Sequence, residues 1–492
     1  MERYLNLLFN SPEFVIFFTF IIAAIIVFKN KQFQRLLILF ASYLFYYYSG
    51  TFYLSLLVAS TVINFWFGKI IYDASQKNKK IIFSISMAFN LGLLGFFKYV
   101  DFFIEQVNSG FTFIGIQQMP FLEIALPIGI SFYTFHSMGY LIDIYRKQIS
   151  PSASFLDYSI YVAFFPQLVA GPILRAKHFL PQLREKINNF HSIKQIIVTD
   201  SNLKFGITLM AIGFLKKMFF ADNIAPLVNQ VFQNPVGYDS FSIMLATLSL
   251  GIQIYGDFSG YSDIAIGAAL ILGFTIPRNF NKPFFATSPS EFWRRWHISL
   301  STWVRDYLYL PMIFKNRKSV GYVFVSLLIT FFLLGLWHGA GWNFMIFGLL
   351  HGFYVGIDMI LRSKCPSLTN QKFFSTKIGK ITSILFTQYL IFFAFIAFRV
   401  ENFDHMSYAM MKFIFIDFQT NELFNLILQN KVPVVLVFLF IILHFVSFMK
   451  KSLINSISAL KIRYWIIFLI IVIGSIFYLY DANPDDFIYF RF

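Results

Sequence analysis

Charged side chains are scarce in this sequence. Of its 492 residues only 13% are Asp, Glu, Lys or Arg, about half of the ~25% usual in soluble domains. A soluble chain of this length needs a polar skin over two or three cores, and the residues to build one are missing. That excludes an ordinary cytosolic enzyme, a disordered chain and a nucleic-acid-binding domain. Cysteine is nearly absent too: Cys365 stands alone, so an internal disulfide and a thiolate metal cluster are both excluded. There is no internal repeat, no low-complexity linker and no hydrophilic stretch long enough for a soluble domain.

What is abundant is apolar. Hydrophobic residues make up 57% of the chain and aromatic ones 21%, with 68 phenylalanines, and the mean hydropathy is +0.65. The chain reads as an all-α, polytopic integral membrane protein. A spanning helix needs about 20 apolar residues, and candidate runs cover 14–28, 37–48, 52–72, 81–97, 121–144, 203–220 and 241–255, then 264–276, 320–336, 344–361, 381–398, 432–448 and 464–480. Several are short for a full crossing, so tilted, re-entrant or interfacial pieces are expected among roughly eleven to thirteen membrane segments.

Forty basic residues against twenty-four acidic ones give a net charge of +16. In a membrane protein this excess belongs to cytoplasmic loops. Basic clusters lie at 29–35, 77–80, 146–147, 315–318, 362–380 and 450–463. Placing all of them in the cytoplasm makes the first four spans alternate and puts both termini, with the acidic tail 481–486, outside. The first apolar run carries its basic residues after it and no small-residue cleavage site, so a removable signal is not expected. The whole of 1–492 is read as one membrane-embedded domain, with N-terminal helices over 1–120, a core over 121–361 and C-terminal helices over 362–492.

Polar groups that lipid should exclude collect in the middle third. Tyr255-Gly256-Asp257-Phe258-Ser259-Gly260-Tyr261-Ser262-Asp263 is expected to interrupt two apolar runs and to be buried in protein or to line a cavity. Asp257 and Asp263 are six apart, about 120° around a helix, a poor arrangement for a carboxylate pair. Capping helix ends and pairing with arginine is the plainer role for both. Ser288-Pro289-Ser290-Glu291 has the form of a capping box with Pro at the first helical position. From it one amphipathic helix is expected, with Phe292, Trp296, Leu300, Trp303 and Tyr307 on one side and Arg295, Ser299, Thr302 and Asp306 opposite. Arg294 and Arg295 would snorkel or face phosphates. His297 lies at the border of the faces, where packing competes with catalysis as its role. Gly335-Leu336-Trp337-His338-Gly339-Ala340-Gly341-Trp342-Asn343 sets a histidine between two tryptophans where two long apolar runs meet. An ionisable side chain at such depth is a functional candidate.

The other histidines are less telling. His136 and His351 fall in apolar runs and are expected to be satisfied internally, while His178, His191, His405 and His444 read as loop or interface residues. No HExxH, GxSxG, P-loop or dinucleotide fingerprint is present, and no metal is expected.

At these residues the sequence resembles the membrane-bound O-acyltransferase family, in particular the bacterial branch that O-acetylates alginate and related envelope polysaccharides. The resemblance is carried by Trp337-His338-Gly339, by Phe292-Trp293-Arg294-Arg295-Trp296-His297-Ile298-Ser299-Leu300-Ser301, and by Trp303-Val304-Arg305-Asp306-Tyr307-Leu308-Tyr309. Phe165-Pro166-Gln167 with Gly171-Pro172-Ile173, the 255–263 stretch, Arg278-Asn279-Phe280 and the ending Phe487-Ile488-Tyr489-Phe490-Arg491-Phe492 extend it over nearly the whole chain. Arg491 departs from the Gln that commonly stands there, a change expected to touch partner docking rather than chemistry.

The resemblance implies that His338 is the main catalytic histidine and His297 a supporting one. It also implies a buried central channel joining a cytoplasmic acyl-thioester donor to an acceptor hydroxyl outside. No cofactor would be held permanently; acetyl-coenzyme A or an acyl carrier protein would bring the acyl group, with Arg294, Arg295 and Arg305 facing its phosphates or acidic surface. Trp337, Trp342, Asn343, Asp257, Asp263 and Ser259 would support the channel. A periplasmic or surface-anchored serine-type (SGNH-like) partner would pass the acyl group to the polysaccharide, and the protein would sit in the cytoplasmic (inner) membrane of a bacterium. D-alanyl transfer from a carrier protein to teichoic acid, acylation of peptidoglycan, a proton-coupled transporter and an acyl-binding scaffold are the alternatives.

Overall fold

The computed structural model of the protein describes residues 9, 11–28, 30–50, 53–188, 200–365, 367, 371–450, 452–480 and 487, and among these there are helices but no strand. Lys29, His191, the acidic tail 481–486 and residues 488–492 with Arg491 lie outside the described residues. The chain forms two compact units, Met1–Met210 with Tyr261–Pro277, and Ala211–Gly260 with Arg278–Phe492.

The first unit opens with α1 (Pro12–Val27), α2 (Lys31–Gly50), α3 (Leu54–Asp73), the long α4 (Gln76–Phe113) and α5 (Ile130–Tyr145). Next come α6 (Phe155–Ala163), α7 (Ala176–Asn188) and α8 (Asp200–Phe214). Two buried polar contacts tie parts of this unit together. The amides of Asn64 on α3 and Asn90 on α4 exchange hydrogen bonds of 3.1 and 2.7 Å. His136 Nε2 accepts from the Leu174 N–H at 3.0 Å, the internal partner its apolar setting demands.

The apolar run 121–144 is only partly helical, since α5 begins at Ile130. Pro120 and Pro127 disfavour helix in the residues before them, and Gly129 takes a left-handed φ of 76°. The segment before Gly129 is tied down by side chains of α4 instead: Asn108 pairs with both backbone groups of Met119, and Asp101 accepts from the Leu122 N–H.

α8 runs into a π-helical stretch, Leu215–Ala221, and then α9 (Asp222–Gln233) and α10 (Ser240–Ile271). Short helices α11 (Pro289–Arg295) and α12 (Ile298–Val304) precede the hairpin of α13 (Val320–His338) and α14 (Trp342–Lys364). The remaining helices are α15 (Lys377–Arg399), α16 (Phe403–Ile414), α17 (Asn421–Gln429), α18 (Lys431–Met449) and α19 (Ile462–Tyr478).

By length and composition, seven helices among the described residues can cross a membrane: α3, α4, α10, α13, α14, α15 and α18. α19 and most of α1 are apolar but shorter. The protein is therefore an all-α, multi-pass membrane protein. Fewer long spans emerge than there are apolar runs, because some runs fuse and others break into short helices. α18 and α19 turn large apolar side chains outward, among them Ile442, Ile467 and Ile470, as lipid-facing helices do.

The fusion is clearest at α10. The polar stretch 255–263 does not break the helix: the runs 241–255 and 264–276 belong largely to one 32-residue element. Two glycines make the close packing possible. A Cβ on Gly260 would stand 2.7 Å from the Gly213 carbonyl oxygen, and one on Gly256 3.0 Å from that of Lys216. The π-helical stretch thus lies directly against α10, and Asp257 finds its partner there, in Lys217, without the helix breaking.

Candidate active site

The amphipathic pattern that starts at Ser288 folds as two short helices, not one. The start of α11 agrees with its sequence: Ser288 Oγ accepts from the Glu291 N–H at 3.3 Å. Glu291 reaches back not to Ser288 but to Thr287, accepting from its N–H at 2.8 Å and its hydroxyl at 2.6 Å. Burial works against the ionised form of Glu291, yet these bonds and the Arg295 guanidinium outweigh it and hold its carboxyl below the ordinary value. Arg295 grips the same carboxylate with Nε at 2.9 Å and Nη2 at 2.6 Å.

The break falls at His297, whose φ of 42° and ψ of 52° lie in the left-handed region. Such a conformation costs a non-glycine residue on the order of 1–3 kcal/mol and persists only where neighbours enforce it. Here Asn279 enforces it: its carbonyl accepts from the Ile298 N–H at 2.8 Å and its side chain from the Ser299 hydroxyl at 2.6 Å. The Asn281 N–H in turn donates to the Arg295 carbonyl at 2.9 Å. The loop before α11 therefore sets the angle at which His297 leaves it.

His297 is fully buried. Its ring lies edge-on to Phe258 at 4.6 Å and 6.2 Å from the Trp337 ring. Trp337 is in turn 4.9 Å from the ring of His338, the last residue of α13. Phe398 at 5.4 Å and Phe347 at 5.7 Å also flank His338, which is buried too. Two imidazoles far apart in sequence thus approach the same indole, among aromatic side chains.

The hairpin holding His338 is tight because Gly335 and Gly348 face each other. A Cβ on Gly335 would overlap the Phe344 carbonyl oxygen, and one on Gly348 that of Phe331. Beyond the turn, Asn343 is buried and its Nδ2 donates to the Ala397 carbonyl at 3.1 Å, fastening the hairpin to α15. Trp342 is 59% exposed.

Further support comes from a lysine that the sequence did not single out. Lys217, in the π-helical stretch, is buried with its Nζ 2.8 Å from Asp222 Oδ1 and 2.8 Å from Asp257 Oδ1. Asp257 is therefore mid-helix and paired with a lysine, where a helix cap with an arginine partner was the plainer expectation. It precedes Phe258, so the pairing fixes the turn of α10 that packs on His297. The available signal was a pair of lysines, Lys216 and Lys217, inside an apolar run. His351 on α14 accepts at Nδ1 from the Trp293 indole N–H at 3.2 Å, which ties α14 to α11. His444 is not a loop residue: it lies on α18, its ring stacked on Phe440 and Phe285.

Ser259 is buried next to Phe258, while Asp263 belongs to the first unit and is half-buried. The three arginines differ in their settings. Arg295 is committed to Glu291, Arg305 is exposed and lies 2.8 Å from Asp306, and Arg294 is exposed. Phe487, from the terminal motif, packs 6.1 Å from Phe258. Among the described residues no group of three His, Cys, Asp or Glu side chains is placed to hold a metal ion.

Residues 145–403 match the membrane-bound O-acyltransferase (MBOAT) family, a stretch that contains both histidines and the elements around them. Along most of its length the chain is similar to a probable alginate O-acetylase of Azotobacter vinelandii, with 35% identity over 402 residues, 81% of this chain and 76% of the relative. It is equally similar to a peptidoglycan O-acetyltransferase of Helicobacter pylori, 35% identical over 435 residues, covering 82% of this chain and 79% of the relative. A teichoic acid D-alanyltransferase of Bacillus subtilis matches less: 28% identity over 285 residues, 50% of this chain and 68% of the relative.

Proposed function

Because this chain belongs to the membrane-bound O-acyltransferase family, and so is an O-acyltransferase, we propose that it moves an acetyl group from a cytoplasmic thioester to a hydroxyl of a cell-envelope or exported polysaccharide. The observation that carries the reading is the meeting of His297 and His338 around Trp337, in a buried enclosure built from the matched region. An ionisable pair kept at such depth is costly unless used.

The chemistry needs little more. As the acceptor oxygen attacks the thioester carbonyl, its proton passes to neutral His338. The tetrahedral intermediate then collapses, the C–S bond breaks, and the departing thiolate takes the proton back from the imidazolium. General-base assistance of this kind contributes roughly 10²–10⁴-fold. The oxyanion takes hydrogen bonds from the His297 imidazole or from backbone N–H groups of Gly339, Ala340 and Gly341, donors fixed before the reaction begins. Excluding water protects the thioester from hydrolysis. Arg294, Arg295 and Arg305 supply positive charge toward the phosphates of coenzyme A or the acidic face of a carrier protein.

In this reading the protein lies in the cytoplasmic membrane of a bacterium with both termini outside. It hands the acetyl group to a serine-type partner, which delivers it to the polymer. D-alanyl transfer is the second reading, and the weaker, shorter similarity to teichoic acid D-alanyltransferases ranks it below acetylation. Inside-out membrane vesicles containing the protein, given acetyl-coenzyme A labelled in the acetyl group or carrier protein charged with labelled D-alanine, separate the two. Acetyl label appearing on luminal acceptor is the expected result. Transfer of D-alanine alone overturns the acetyl assignment.

A further inference from the structure

Two of the basic clusters in the sequence, 77–80 and 146–147, have no part in the acyl-transfer reading. In the first unit they come together. α4 begins at Gln76 and α5 ends at Tyr145, and between these two helix ends lies a cavity of about 190 Å³ lined by Gln76, Lys79, Tyr145, Arg146 and Lys147. Three of the five lining residues are cations and none is an acid.

Lys79 is the telling member. It is only 5% exposed, and lysine is almost never buried without a partner. Its Nζ lies 5.8 Å from the centre of the Tyr145 ring, and it makes no ion pair among the described residues. The Tyr145 wall is itself fixed, stacked on Phe83 at 4.1 Å. Lys147 sits in a left-handed conformation, φ 58°, at the position after a helix where glycine is usual. The start of α4 adds to the positive field: Ser75 makes no side-chain cap, and the first-turn N–H groups of a long helix favour an anion.

We propose that this cavity binds a phosphate group, with Lys79 and Lys147 as its principal contacts and Arg146 at its rim. Its size decides against a whole cofactor, since pockets for drug-sized ligands run from about 300 Å³ upward. The occupant is therefore the phosphate of a larger molecule whose remainder lies outside. Two sources share that chemistry: the headgroup of an anionic phospholipid, and a phosphate of the acyl donor. Phosphate binding here is independent of the acyl-transfer reading, because occupancy is measured without turnover; only the donor as its source rests on that reading.

The test uses the full chain in a zwitterionic detergent, with dioctanoyl-phosphatidylglycerol and coenzyme A as separate probes and native mass spectrometry or calorimetry as the readout. Wild type binds at least one probe, and Lys79→Met weakens that binding by about tenfold or more, the loss expected for a charge-assisted contact. Lys147→Gly also weakens it while keeping or raising the melting temperature, since glycine relieves the left-handed backbone. That variant decides the matter if Lys79→Met fails to fold. A response to the lipid alone identifies a headgroup site, a response to coenzyme A alone a donor site, and a response to both the shared phosphate chemistry. Failure of both probes to bind wild type, or equal affinity in wild type and the folded variants, overturns the proposal.

Discussion

Lys217 has its ammonium between two carboxylates in a buried position. Removing one member of a buried charge cluster is strongly destabilising, by roughly 3–5 kcal/mol, because the charges left behind keep their desolvation cost without their partner. Lys217→Met would leave Asp222 and Asp257 together, and its melting temperature is expected to fall sharply. Adding Asp222→Asn and Asp257→Asn to the same chain should recover a large part of the loss. A single variant as stable as wild type would show that the cluster is not what anchors this turn of α10. The two histidines make a contrasting case at the same scale. His338 stands out as a candidate from its glycine and tryptophan neighbours, whereas His297 is ambiguous on its helix. Its left-handed backbone depends on Asn279, a residue eighteen positions away that no local pattern connects to it.

Among the elements, the hairpin of α13 and α14 sets the depth of His338. Gly348 admits the backbone of α13 so closely that any side chain there must part the helices. Gly348→Val is expected to lower both melting temperature and transfer activity. Gly92→Ala on α4, where a Cβ meets nothing within 4 Å, should leave activity intact and favour its helix by up to about 1 kcal/mol. Equal behaviour of the two variants would refute the close-approach argument. Local signals predicted some elements well. The capping box at Ser288 marks the start of α11, and the glycine cluster after Trp337 marks the turn. Elsewhere tertiary packing prevailed over local pattern. The polar stretch 255–263 remains helical because glycines let Lys217 reach Asp257, and the apolar stretch before Ile130 stays irregular because prolines and α4 side chains hold it.

For the whole molecule, composition alone carried the fold class: too little charge for a polar skin, and enough apolar residues for many spans. It could not give the number of long helices, since a run of hydrophobic residues reads the same whether it crosses lipid, turns back or fuses with its neighbour. The chemistry proposed for the assembled protein is an acyl group passed through a water-excluding enclosure to an alcohol, with one imidazole moving the proton. Labelled acetyl transfer by membranes carrying His338→Gln tests this most directly, with insertion and melting temperature followed in the same preparation. The account predicts a rate lower by about 10²–10⁴-fold in a protein that inserts and melts as wild type does. An undiminished rate would contradict it.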